Sequence, residues 1–191
     1  MSLNYKKIAK FIKDTRTMTI WNGGGMQYIS NGVAVYPVYG MPRMNEMEML
    51  NFLGLADKAS VITTKAVAAP DWIVEASYDD CIDNLLESNG PGIILHGDLF
   101  RTYYTESGAV VIQNNYIFTV EGSFDKDYPI SRCIINISDK IKGVAIFAGF
   151  DLYGVILPVE TKELYRDYYK LADQLKLANE KQDGSHEEDE E

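Results

Sequence analysis

The stretch that decides the fold is KGVAIFAGFDLYGVILPV, residues 142–159. It reads as two apolar strands folded over a Gly-Phe-Asp corner, with Pro158 closing the second. A quieter version of its ending, NGVAVYPV, stands at residues 31–38. The two share Gly-Val and Pro-Val about four residues apart, which suggests a repeated unit.

Working outward, the first element is a helix. Tyr5, Ile8, Ala9 and Ile12 recur at helical spacing, Ser2 or Asn4 can cap it, and Lys6, Lys10 and Lys13 fall on another face. Three strands follow at residues 18–21, 26–30 and 33–38. Gly23, Gly24 and Gly25 turn the first corner, and Asn31-Gly32 is expected to turn the second as a type I′ hairpin. Pro37 and Pro42 then interrupt pairing. Residues 45–53 predict a short helix with Met47, Leu50 and Phe52 or Leu53 inward, and residues 61–67 a strand. Ser77 and Asp80 form a capping-box pattern ahead of an Ile82, Leu85, Leu86 stripe that Gly90-Pro91 ends. Strands are expected again at residues 92–95, 99–105, 109–113, 116–120 and 133–137.

Helix and three strands thus begin near residue 5 and again near residue 78. Expected is an α+β protein, its sheets mostly antiparallel, with three to four helices and a pseudo-duplicated unit. One domain spans residues 1–179, with halves at 1–76 and 77–159 and a last helix at 161–178. In that helix Leu164, Tyr168, Leu171, Leu175 and Ala178 are spaced four, three, four, three, which fits either its own sheet or a partner. Residues 180–191 hold seven acids and one lysine, so an acidic, disordered tail is expected.

The totals exclude several classes. A chain of 191 residues buries roughly 70% of its unfolded surface and needs no metal or disulfide to support its core. The formal charge of −10 argues against a general coat for nucleic acid, although the tail alone carries −6 of it. No run approaches about 18 apolar residues, so a membrane span is not expected. Cys81 and Cys133, far apart and outside any CxxC, read as reduced thiols, and the location expected is cytoplasmic.

No catalytic set, cofactor site or metal site emerges. His96 and Asp98 could pair on one strand face as a base and its orienter, the basis for a small-hydrolase alternative. Nucleophile and oxyanion donors are lacking in the pattern, and His186, the second histidine, lies in the tail. Cys81 stands among carboxylates that would raise its pKa, opposite to what a nucleophile needs. Asp79, Asp80 and Asp83 lack the spacing of a calcium loop, and Gly23-Gly24-Gly25 precedes a strand rather than the helix of a phosphate loop.

Aromatic content is more informative. Among thirteen tyrosines, Tyr103 shares a strand face with Arg101, a pairing typical of interface cores. The reading favoured is therefore a non-enzymatic interaction module, an acidic protein that docks on a basic partner surface. It would meet a protein partner through Arg101 and Tyr103 or through Tyr168, Leu171 and Leu175 of the last helix, which could also serve self-association.

The alternative is a nucleic-acid-associated module. One helix with three strands, repeated, resembles the half-domains of DNA sliding clamps, and YGVILPV, residues 153–159, is similar to their closing strand. The resemblance implies a positive lining, which Lys6, Lys10 and Lys13, with Lys7 and Arg16, would supply.

Overall fold

The computed structural model describes residues 3–79, 86, 92–95, 97–105, 108–121 and 130–159. The chain divides into one unit, Met1–Val159, and a second, Glu160–Glu191. The expected last helix and acidic tail lie outside the described residues, as does the helix expected after Ser77, apart from Leu86.

The first unit is α+β. Its order is α1 (Tyr5–Thr15), β1 (Thr17–Gly23), β2 (Met26–Ser30), β3 (Ala34–Val38), α2 (Glu46–Phe52), a 3-10 turn (Ala56–Lys58), β4 (Thr63–Ala68) and α3 (Asp71–Val74). Then come β5 (Gly92–Leu95), β6 (Asp98–Thr105), β7 (Gly108–Gln113), α4 (Asn114–Glu121), β8 (Ile130–Asn136), β9 (Lys142–Ala148) and β10 (Asp151–Ile156). Seven strands form a mixed sheet in the order β4-β1-β2-β3-β10-β9-β8, and β5-β6-β7 form a second. Every pairing is antiparallel except β1 with β4, which the crossover through α2 makes parallel.

The echo between residues 31–38 and 142–159 sits at the centre of the large sheet. β3 and β10 pair antiparallel, Val35 opposite Val155 and Ala34 opposite Ile156, and Leu157 N donates to Val33 O at 2.8 Å. The meander β1-β2-β3, preceded by α1, is thereby joined to the meander β8-β9-β10, preceded by α4. The order of one helix and three strands recurs at α4-β8-β9-β10; the three strands expected after residue 78 are present as β5, β6 and β7, and the helix expected ahead of them lies outside the described residues.

One expected strand is a helix instead. Residues 116–120, expected as a strand, are part of α4. Tyr116, Ile117 and Thr119 are buried, and the β-prone run Tyr-Ile-Phe-Thr-Val is overridden by packing. The tight turns also exchange roles. Gly24 and Gly25 both take positive φ, the requirement of a type I′ turn, whereas at the second corner only Gly32 does. There Asn31 holds the chain instead, its Oδ1 accepting from Val33 N and Ala34 N at 3.2 and 3.0 Å.

Both faces of the large sheet are covered. On one, Ile8 and Ile12 of α1, Met49 and Leu50 of α2, and Tyr116 and Ile117 of α4 pack on Met18, Ile20, Tyr36, Ile146 and Ile156, joined by Tyr103 and Ile112 of the small sheet. On the other, Tyr28, Val35, Ala145, Phe147 and Val155 meet Ile73 of α3 with Trp72 and Tyr78. α2 opens with a capping box between Asn45 and Glu48, and it buries Met49 while leaving Met47 half exposed, contrary to the inward Met47 expected.

Cys133 is fully buried on β8 and disulfide-bonded, which overturns the expectation of reduced thiols. Sequence separation says nothing about separation in space. The chain's other cysteine, Cys81, lies outside the described residues.

Candidate functional site

The clearest surface is the outer face of α1. Asn4 caps the helix, its Oδ1 accepting from Lys7 N at 3.1 Å. At the other end Thr15 Oγ1 donates to Phe11 O at 3.0 Å, and Arg16 takes the left-handed conformation that stops it. Ile8, Ala9 and Ile12 point into the core, which commits the opposite side to water.

That side presents Lys6, Lys7, Lys10 and Lys13, all exposed. Lys6, Lys10 and Lys13 follow the four-then-three spacing of a single helix line, about 10 Å long at 1.5 Å per residue. Among the described residues the ion pair formed is Lys58 Nζ to Asp57 Oδ2, 3.1 Å, so no described acid neutralises the α1 lysines. Asp14 and Arg16 flank the row, both exposed.

α4 lies alongside. The rings of Phe11 and Tyr116 are 4.4 Å apart, and Tyr116 Oη accepts from Asn31 Nδ2 at 3.2 Å. Tyr36 Oη donates to Tyr116 O at 3.5 Å. A buried polar seam thus fastens α4 to the β2-β3 turn and holds α1 beside it. Burial raises the pKa of Tyr36 well above the ordinary tyrosine value and raises that of Tyr116, keeping both phenols protonated.

The other expected residues do not assemble. Arg101 on β6 is half-buried, opposite Gly92 and Ile112. Tyr103 is 1% exposed and belongs to the core, so it is no part of an outward patch. Strand alternation had placed the two on one face without telling that the face is internal. Tyr168, Leu171, Leu175 and His96 lie outside the described residues. Asp98 opens β6, and its Oδ1 accepts from Asn115 Nδ2 at 3.2 Å.

One exposed group escaped sequence reasoning. Phe150, at the tip of the β9-β10 hairpin, is 80% exposed, with its ring edge-on to Tyr78 at 5.5 Å. A bulky apolar residue beside the turn glycine Gly149 was the available signal. Nearby Tyr39 stacks obliquely on Tyr153, and its hydroxyl donates to Leu152 O.

No family model, curated protein or solved structure matches this chain. Among the described residues no helix is long and apolar enough to cross a membrane.

Proposed function

We propose that the chain is a non-enzymatic interaction module whose contact surface is the lysine face of α1 and whose partner is a polyanion, the phosphate backbone of nucleic acid. The observation that carries this reading is the row Lys6, Lys7, Lys10 and Lys13, exposed and without a described acid partner. In a chain of net charge −10, such a row attracts anionic partners locally while the rest of the molecule repels them. Contacts of this kind position a backbone without reading bases, so little sequence preference is expected. The half-domain resemblance to sliding clamps agrees with this use of a helix face, as an analogy of fold alone. The cytoplasmic expectation rested in part on reduced cysteines, and the disulfide at Cys133 withdraws that part of its support.

The test is binding of labelled duplex and single-stranded DNA by fluorescence anisotropy at low salt. Binding that the triple variant Lys6→Glu, Lys10→Glu, Lys13→Glu abolishes, with circular dichroism unchanged, supports the reading. Absence of binding by the wild type, or undiminished binding by the variant, overturns it.

A further inference from the structure

β4 is the outermost strand of the large sheet. Thr63, Lys65, Ala66, Val67 and Ala68 are exposed and Thr64 is half-buried, so no described residue covers it. The opposite edge is partly occupied, since Leu86 N donates to Arg132 O of β8 at 2.8 Å.

The backbone of β4 shows which groups are free to pair. Thr63 N donates to Arg16 O and Ala69 N to Asn22 O, each at 2.9 Å, both toward the β1 side. Backbone groups alternate sides along a strand, so Thr64, Ala66 and Ala68 turn their N–H and C=O away from β1. Exposed edges are commonly blunted by proline, bulges or several charges. Here the strand TTKAVA has one lysine and no proline, and its pairing with β1 runs without a break.

Exposed apolar side chains surround this edge. Val67 is on the strand itself, Val61 just precedes it, Met47 stands on the neighbouring α2, and Val74 on α3 packs against Gly23 at the end of β1. Between 37% and 56% of each is exposed, which is unusual clustering for a solvated rim.

We propose that β4 is a dimerisation edge, occupied by β4 of a second copy of this chain running antiparallel about a twofold axis at Ala66. Outward-turned residues must face outward-turned residues, so a twofold axis can pass through Lys65, Ala66 or Val67. An axis at Lys65 sets two ammonium groups opposite each other. An axis at Val67 sets Thr64 against Pro70, which has no N–H to give. The axis at Ala66 pairs Thr64 with Ala68 of the second copy and Ala66 with its own equivalent, using all the outward groups. It also lays the Lys65 stem against Val67 of the second copy and keeps like charges on the diagonal. The contact is isologous and closes on itself, as a twofold dimer does, and the apolar rim of one copy meets that of the other.

Sedimentation velocity over a dilution series tests the proposal, together with Ala66→Pro, which removes an outward N–H and no bond to β1. A monomer–dimer equilibrium that Ala66→Pro weakens by about tenfold or more, with an unchanged circular dichroism spectrum, supports it. Ala66→Cys decides the matter if the proline variant fails to fold. Facing residues of a hydrogen-bonded antiparallel pair have Cα atoms about 5.5 Å apart, within disulfide reach, so Ala66→Cys should yield a covalent dimer on oxidation and Thr63→Cys should not. A protein monomeric at every concentration, a dimer untouched by Ala66→Pro, or equal cross-linking of both cysteine variants overturns the proposal.

Discussion

Ala34 on β3 and Ile156 on β10 stand opposite each other, both fully shut off from solvent. Laying Gly32-Val33 on Gly154-Val155 superimposes these same two residues, so the sequence echo and the strand register share one centre. The two meanders of the sheet therefore meet at the position where each repeats the other. Small opposite large is how such a pair fills space on one face without a void.

Truncating the large member should open that joint. Ile156→Ala is expected to cost about 2–5 kcal/mol, the range for a buried large-to-small change, read as a lowered urea midpoint at constant slope. Ala34→Leu should cost about 1–3 kcal/mol by overpacking. If both substitutions are neutral, the β3-β10 pairing is not the joint of the sheet.

The polar seam beneath α4 gives a second expectation. Asn31 is 5% exposed and serves three groups at once, Tyr116 Oη and the amides of Val33 and Ala34. Asn31→Ala should cost about 1–3 kcal/mol, since it leaves buried partners unsatisfied. Tyr116→Phe removes the one hydroxyl contact and should cost less. Their double-mutant cycle should show a coupling of roughly 0.5 kcal/mol or more, and strict additivity would deny the bond.

How far these features could be read beforehand depends on whether a pattern reports a direction or only an alternation. The α1 lysines were legible because Ile8, Ala9 and Ile12 name the inner face of a helix and so name the outer one. β9 and β10 were legible as continuous apolar runs about a turn glycine, and β2 from the glycine and asparagine corners that bound it. Tyr103 was not, because a strand has two faces and period two alone does not say which is core. α4 was not, because its residues prefer strands in isolation and become helical through contacts with Phe11, Asn31 and Tyr36. The disulfide at Cys133 and the parallel pairing of β4 depend on proximity in space, to which one-dimensional spacing is blind.

That disulfide should matter for stability. Cys133 is wholly buried, so Cys133→Ala under non-reducing conditions is expected to cost about 2–4 kcal/mol, the usual worth of a cross-link. The same loss should appear in the wild type on adding a reductant, and the two effects should not add. Unchanged stability in the variant would make the bond incidental.

High pH should unfold the protein for a reason visible in its tyrosines. Burial raises the pKa of Tyr5, Tyr28, Tyr36, Tyr39 and Tyr116 above 10.0. For Tyr39, Asp151 adds to the shift. Above about pH 10 the unfolded chain releases these protons while the folded one retains them, so the native state then binds more protons and its stability falls as pH rises. Their contribution is complete below pH 10 and is lost as pH climbs through the raised values. Tyrosinate absorbance and far-ultraviolet circular dichroism followed together should show the absorbance of these buried tyrosines appearing with the loss of structure. A single titration near pH 10 with the fold intact would contradict the burial of these rings.

Salt separates the lysine face from adventitious adhesion to nucleic acid. If Lys6, Lys7, Lys10 and Lys13 each displace a counterion from duplex DNA, log K should fall against log salt with a slope near −4, about 0.9 for each contact made. Replacing one lysine by glutamine should reduce the slope by about one unit and weaken binding alike on unrelated sequences, because a phosphate contact carries no base information. Lys65→Gln, on the edge strand β4 rather than on α1, should leave the slope unchanged. A slope indifferent to the α1 lysines, or one that Lys65→Gln reduces equally, would move the contact away from this helix.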